Sequence, residues 1–164
     1  MPHIAVLADT HVPSRAERVP EWVEERIERA DHAIHAGDFD AAGSFDRIAE
    51  RTRELTAVRG NLDPDLGLPE VATVERGGVE FVVTHGTGDL DGYEERVAGI
   101  VAEHASAGPT VGVAGHTHQP TDEYVHGERL LNPGSATGAA PAPCTSMLTV
   151  YAEDGEIEVT FHER

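Results

Sequence analysis

The chain contains no lysine: all 12 of its basic residues are arginine, set against 30 Asp and Glu. It has one cysteine, Cys144, which excludes an internal disulfide framework and a cysteine-based zinc site. Cys144 sits in a loop with no base beside it in sequence, so nothing marks it as a nucleophile. No apolar stretch approaches the roughly 18 residues of a membrane-spanning helix, which excludes that class. The segment Met1–Ile4 lacks a basic head and Asp9 breaks the apolar run early, so a secretory signal is not expected. A reducing, cytoplasmic setting is the default expectation. What remains is an ordinary globular composition, 39% hydrophobic over 164 residues, expected to form one domain over residues 1–164.

The formal net charge of −18 repels polyanions, and this argues against DNA, RNA and acidic membranes as partners. It also opposes compaction unless salt screens it; at about 1 M the Debye length is only about 3 Å. A salt-adapted, halophilic protein is the expectation, with an acidic mesophilic one as the plainer alternative.

The first third of the chain reads β-α-β-α-β. Strands are expected at Ile4–Ala8, Ala33–Ala36 and Leu55–Arg59. Pro20 opens a helix through Ala30 with Trp22, Val23 and Ile27 on one side, and Ser44 is a candidate N-cap for a helix to Arg53. This alternation predicts a parallel sheet covered by helices. A strand pair around Gly77-Gly78, a helix Tyr93–His104 with Val97, Ile100 and Val101 inward, and a strand Thr110–Ala114 follow. Short strands then dominate: Glu123–His126, Arg129–Asn132, Ser146–Ala152 and Glu156–Glu163. The Gly, Ala and Pro-rich stretch Asn132–Pro143 reads as a loop of the kind that is often functional or mobile.

The polar residues that carry chemistry stand where these strands end: Asp9-Thr10-His11, Gly37-Asp38, Gly60-Asn61-Leu62-Asp63, Thr84-His85-Gly86 and Gly115-His116-Thr117-His118. Ligand sites of open α/β sheets lie outside the carboxyl ends of strands, so five distant segments are expected to meet at one edge. Imidazole nitrogen with carboxylate and amide oxygen suits borderline divalent ions better than Ca or Mg. Taken singly the pieces differ in weight. Asp-x-His is expected about 0.7 times by chance and Gly-Asp about once, whereas Gly-Asn-x-Asp is expected roughly 0.01 times and Gly-His-x-His roughly 0.06 times. A lone Asp after a strand is as often a turn cap, and a lone His85 is more often structural. The ordered set, each after an apolar strand, is what argues for metal. His3, His32, His35, His104, His126 and His162 lack that context and are read as solvated or structural.

Asp9-x-His11, Gly37-Asp38, Gly60-Asn61-x-Asp63, His85-Gly86 and Gly115-His116-Thr117-His118 together resemble the calcineurin-like metallophosphoesterase superfamily. Short length and Asn132-Pro133-Gly134-Ser135 make the chain most similar to the small YfcE-like phosphodiesterase branch. The resemblance runs from Ile4 to about Ser135. It implies an α/β fold, a four-layer α-β-β-α sandwich with two divalent ions at one end, manganese first with nickel, cobalt, iron or zinc as alternatives. By that likeness Asp9, His11, Asp38 and His118 hold the first ion, and Asp38 bridges to a second that Asn61, His85 and His116 complete. Asp63 is either an acceptor that orients a ligand's free N–H or a turn cap. The implied reaction is hydrolysis of a phosphoester by a hydroxide bridging the two ions, which clamp both attacking and leaving oxygens.

Two departures shape the expected substrate. Many relatives carry a His after the Gly-Asn pair, where it serves the leaving group; Leu62 stands there in this chain. Basic residues are also scarce after Ser135. The first favours a small organic phosphodiester or an activated ester over ordinary monoesters, and the second leaves phosphate anchoring mainly to the metals. The competing readings are a protein-interaction scaffold on the same fold, like the retromer subunit that resembles this family, and a nuclease, which the acidic surface argues against. A homo-oligomer is left open.

Overall fold

The computed structural model describes residues 2–164; the part of the N-terminal reading that falls on Met1 lies outside the described residues. Two five-stranded sheets stack face to face. The first comprises β1 (His3–Leu7), β2 (His32–His35), β3 (Leu55–Ala57), β9 (Ser146–Glu153) and β10 (Glu156–Glu163), in the order β10-β9-β1-β2-β3. The second comprises β4 (Val71–Arg76), β5 (Val79–Thr84), β6 (Thr110–Ala114), β7 (Thr121–Val125) and β8 (Glu128–Asn132), in the order β4-β5-β6-β8-β7. Helices α1 (Glu21–Arg29) and α2 (Ala42–Arg51) cover the first sheet, and α3 (Tyr93–His104) covers the second. The expected four-layer α-β-β-α sandwich is therefore what forms.

The layering follows from side-chain alternation. In β1, Ile4 and Val6 face the opposite sheet, where they meet Phe81, Val83 and Val113, while Ala5 and Leu7 face α1 with its Val23 and Ile27. A strand buried on both faces is continuously apolar, as the run Ile4–Ala8 is. β1, β2 and β3 run parallel, as do β5, β6 and β8, so their carboxyl ends share an edge within each sheet. The antiparallel β9, β10, β4 and β7 flank these parallel blocks.

Most boundaries shift from expectation by one or two residues, and three differences have a visible cause or consequence. α2 begins at Ala42 rather than Ser44, and the Ser44 hydroxyl donates to the Val12 carbonyl instead of capping the helix. β3 is three residues long: the Val58 amide still reaches the His35 carbonyl at the end of β2, but the Arg59 amide turns away to the Pro69 carbonyl. Ile100 is only half-buried; Tyr93, Val97, Ala98 and Val101 form the packed face of α3.

Candidate metal centre

Each expected ligand follows a parallel strand: Asp9 and His11 after β1, Asp38 after β2, Asn61 after β3, His85 after β5, His116 and His118 after β6. Backbone hydrogen bonds tie these ends together: Asp9 to the Gly37 carbonyl at 2.9 Å, His11 to that of Asp38 at 3.1 Å, and Gly115 to that of His85 at 3.2 Å. Asp9, His11, Asp38, His116 and His118 all have positive φ, a conformation that costs about 1–3 kcal/mol per non-glycine residue and collects at functional sites. Gly60 has a simpler reason to be glycine. A Cβ there would lie 2.1 Å from Asp38 Oδ1, so any side chain would expel the carboxylate.

Five of the seven side chains converge. Asp9 Oδ1 lies 3.4 Å from His118 Nε2 and 3.8 Å from both His11 Nε2 and His85 Nε2. Asp38 Oδ2 lies 3.2 Å from His85 Nε2 and 3.5 Å from His11 Nε2. His11 and His118 approach at 3.2 Å between their Nε2 atoms. Two donor sets result, Asp9 with His11 and His118, and Asp9 with Asp38 and His85, every member buried. Asp9 stands in both, which extends the division implied by resemblance, where Asp38 alone was shared. Asp38 also turns toward both sets, because its Oδ1 is held by the Leu62 amide at 2.9 Å and its Oδ2 faces His11 and His85.

The remaining two stand at the rim. The His116 ring lies against that of His85, centroids 5.2 Å apart, with Nε2 on the Gly88 carbonyl at 2.8 Å, which leaves Nδ1 free of that contact. Asn61 is exposed and lines, with Arg59, Glu70, His85, Gly86 and Thr87, a cavity of about 320 Å³ that adjoins the centre at His85.

The groups behind the ligands explain their orientation. His85 Nδ1 lies 2.6 Å from the Ala36 carbonyl and His118 Nδ1 2.8 Å from that of Ala139. A carbonyl only accepts, so each Nδ1 carries hydrogen and each Nε2 points its remaining site inward. His11 Nδ1 is matched to Asp40 Oδ1 at 2.9 Å. Asp40 escaped sequence reasoning; its one signal is its place two residues after Asp38. Asp63, given two roles above, accepts from the backbone amides of Asp38, Phe39, Asp40 and Gly60 at 2.7–3.0 Å. It is the turn cap, and no ligand ring donates to it among the described residues. The loop after Asn132 is pinned rather than loose: Ser135 Oγ donates to the Asp9 carbonyl at 2.7 Å and the Ala136 amide to that of Ala8.

Burial pushes the Asp38 carboxyl up, but its close contact with the His85 imidazole, the Leu62 amide and the charge of His11 outweigh that and hold it at about 2. Burial disfavours protonated His85 and His118, yet the carboxylates of Asp38 and Asp9 at the first, and of Asp9 at the second, leave both raised above the usual imidazole value. His35, fully buried beneath the site, is lowered to about 3, first by burial and then by the positive charge of His85. It hydrogen-bonds Thr10 Oγ1 and the Gly37 amide and stacks on Phe39, a structural role.

Asp9 Oδ1 and His85 Nε2 are buried without a hydrogen-bond partner. Such atoms cost about 1–3 kcal/mol each when left unsatisfied. They are also a carboxylate oxygen and an imidazole nitrogen turned toward one point, and a divalent cation of the borderline class fits them.

Two facing sheets between helical layers, with imidazoles and carboxylates gathered where the parallel strands end, define a metallophosphoesterase-type α/β sandwich. The family model for the calcineurin-like phosphoesterase superfamily domain matches residues 3–155, and the chain belongs to that superfamily. It is 30% identical over 155 residues to a probable metallophosphoesterase of Methanothermobacter thermautotrophicus, covering 93% of this chain and 87% of that one. Among solved structures it resembles a predicted phosphoesterase from Streptococcus pneumoniae TIGR4 (25% identity, TM-score 0.76, 99% and 89% of the two chains). It also resembles wild-type Vps29 of Entamoeba histolytica complexed with zinc (25% identity, TM-score 0.78, 98% of each chain). Family and donor sets together support phosphoesterase activity with a divalent metal. Among the described residues no helix is long and apolar enough to cross a membrane.

Proposed function

We propose that the chain is a metal-dependent phosphodiesterase with two divalent ions, manganese first, held by Asp9, His11, Asp38, Asn61, His85, His116 and His118. The observation that carries this is the pair of buried, unpartnered atoms, Asp9 Oδ1 and His85 Nε2, set among the Nε2 atoms of His11 and His118. When bound, such ions lower the pKa of a water lying between them and neutralise charge on a phosphoryl oxygen. The chain's own part is positional. Asp38 turns Oδ2 to both His11 and His85 while the Leu62 amide fixes Oδ1, and Asp40 and two carbonyls fix the imidazole tautomers. Asn61, Arg59 and Glu70 line the adjoining cavity, so anchoring of an anionic substrate falls mainly to the ions.

The Leu62 side chain is 46% exposed and supplies no proton. Substrates whose leaving groups depart unprotonated are therefore favoured, hence diesters and activated esters. Release of aryl alcohol from a chromogenic bis-aryl phosphate in molar salt is the test. Turnover with Mn, Ni, Co or Zn that disappears in Asp38→Ala supports the reading, and no turnover with any of the four rejects it.

The likeness to Vps29 favours a second reading, a protein-interaction scaffold on the same fold. Ligand-competent side chains at all seven positions, five of them buried, weigh against it. Tight metal binding without activity on any phosphoester would revive it.

A further inference from the structure

A groove of about 900 Å³ runs along the outer face of the first sheet, over β9 and β10 beside α1. It is lined by His3 at the start of β1, Trp22, Arg26 and Arg29 of α1, Tyr151 of β9, and His162 and Arg164 at the close of β10. It exists because two helices cannot cover five strands: α1 and α2 pack over β1–β3, and the outer faces of β9 and β10 stay open beside α1. The groove shares no lining residue with the metal centre: it lies over β9 and β10, whereas the expected ligands follow β1, β2, β3, β5 and β6.

Its charge is out of keeping with the molecule. Of the 12 arginines, Arg47, Arg51, Arg53, Arg76 and Arg129 form ion pairs. Arg26, Arg29 and Arg164, like Arg15, Arg18, Arg59 and Arg96, form none among the described residues, and these three gather in one groove that Glu21 and Glu25 also line. Two of these guanidiniums lie over one indole: Arg26 at 5.1 Å and Arg164 at 5.0 Å from the Trp22 centroid. Like charges gathered on one ring repel unless an anion joins them. His162 registers the same field: burial, then Arg26, His3 and Arg164, push its pKa down. Beside the cations, His3 stacks on Tyr151 with centroids 4.6 Å apart, and Thr149 hydrogen-bonds His162 at 2.8 Å.

We propose that this groove is a second ligand site, for a small molecule carrying a phosphate group and a flat ring, of which a nucleoside monophosphate is the simplest case. Guanidinium forks match phosphate oxygens in pairs, and the cation-flanked aromatic wall of Trp22 and Tyr151 gives the ring a surface to stack on. The volume falls in the range of small-molecule pockets.

Trp22 is the only tryptophan, so intrinsic fluorescence reads this groove directly. The full-length chain carrying Asp38→Asn, to separate the groove from the metal centre, is titrated with AMP, inorganic phosphate and adenosine. Saturable quenching by AMP is expected, tighter than by phosphate or adenosine. It should weaken about tenfold or more in Arg26→Gln/Arg164→Gln, because each lost fork removes a charge-assisted pair. Arg29→Gln, which leaves the Trp22 contacts in place, serves as the variant should the double change fail to fold. Absence of AMP binding at millimolar concentration, binding unchanged by these substitutions, or AMP no tighter than phosphate overturns the proposal. So does a dimer in sedimentation that the same substitutions break without any AMP binding, which would assign the groove to a second copy of the chain.

Discussion

Asp40 does more for the centre than its place in the sequence suggests. It accepts from His11 Nδ1 at 2.9 Å and so turns His11 Nε2 toward Asp9 and Asp38. Removal of such a partner lowers metal affinity by about 10–100-fold in comparable sites. Asp40→Ala should therefore fold and bind manganese within that range below wild type by calorimetric titration; equal affinity would mean His11 is oriented by something else. Sequence spacing made the ligand candidates legible because each is set directly after an apolar strand. It could not reveal Asp40, the Ala36 carbonyl or the Ala139 carbonyl, whose roles depend on distances between loops. Asp63 had two readings from sequence alone, and four backbone amides decide between them.

At the scale of the element, β2 shows how a strand serves core and site together. Ile34 packs between the sheets, while His35 is buried neutral below the ligands with its pKa lowered to about 3. The unfolded chain takes up a proton on this imidazole below its ordinary value of 6.5, whereas the folded chain does not until about 3. Stability from this group is thus complete above pH 6.5 and falls as the solution is acidified. His85 and His118, raised in the metal-free chain, act in the opposite sense, so the His35 contribution is isolated by difference. In the metal-free chain, the stability of wild type relative to His35→Gln should drop by about 1.2 kcal/mol between pH 6 and pH 5 in urea denaturation. A difference that stays constant with pH would mean His35 is charged in the folded state. Strand order along the first half was legible from alternating apolar runs and breakers. The start of α2 was not, because Ser44 answers to the Val12 carbonyl rather than to its own helix.

The whole molecule carries −18 with no lysine, and its screening by salt is a property of the surface and not of the fold. We expect the melting temperature to rise as salt goes from dilute to molar; a flat or falling curve would remove the salt-adapted reading. The pairing of two sheets was legible only through resemblance, since no local pattern says that β5 and β6 stack on β1 and β2. Convergence at one end follows from that stacking, because it places the ends of β1, β2, β5 and β6 within hydrogen-bonding distance of one another. The claim on which the chemistry rests is that the gathered carboxylates and imidazoles hold a pair of ions. Its most direct measurement is the metal content of chelator-free protein reloaded with manganese, counted per chain by elemental mass spectrometry beside Asp38→Ala. Two ions per wild-type chain and none in the variant are predicted. A wild-type chain that retains no metal after reloading, or a variant that retains the full complement, would contradict the account.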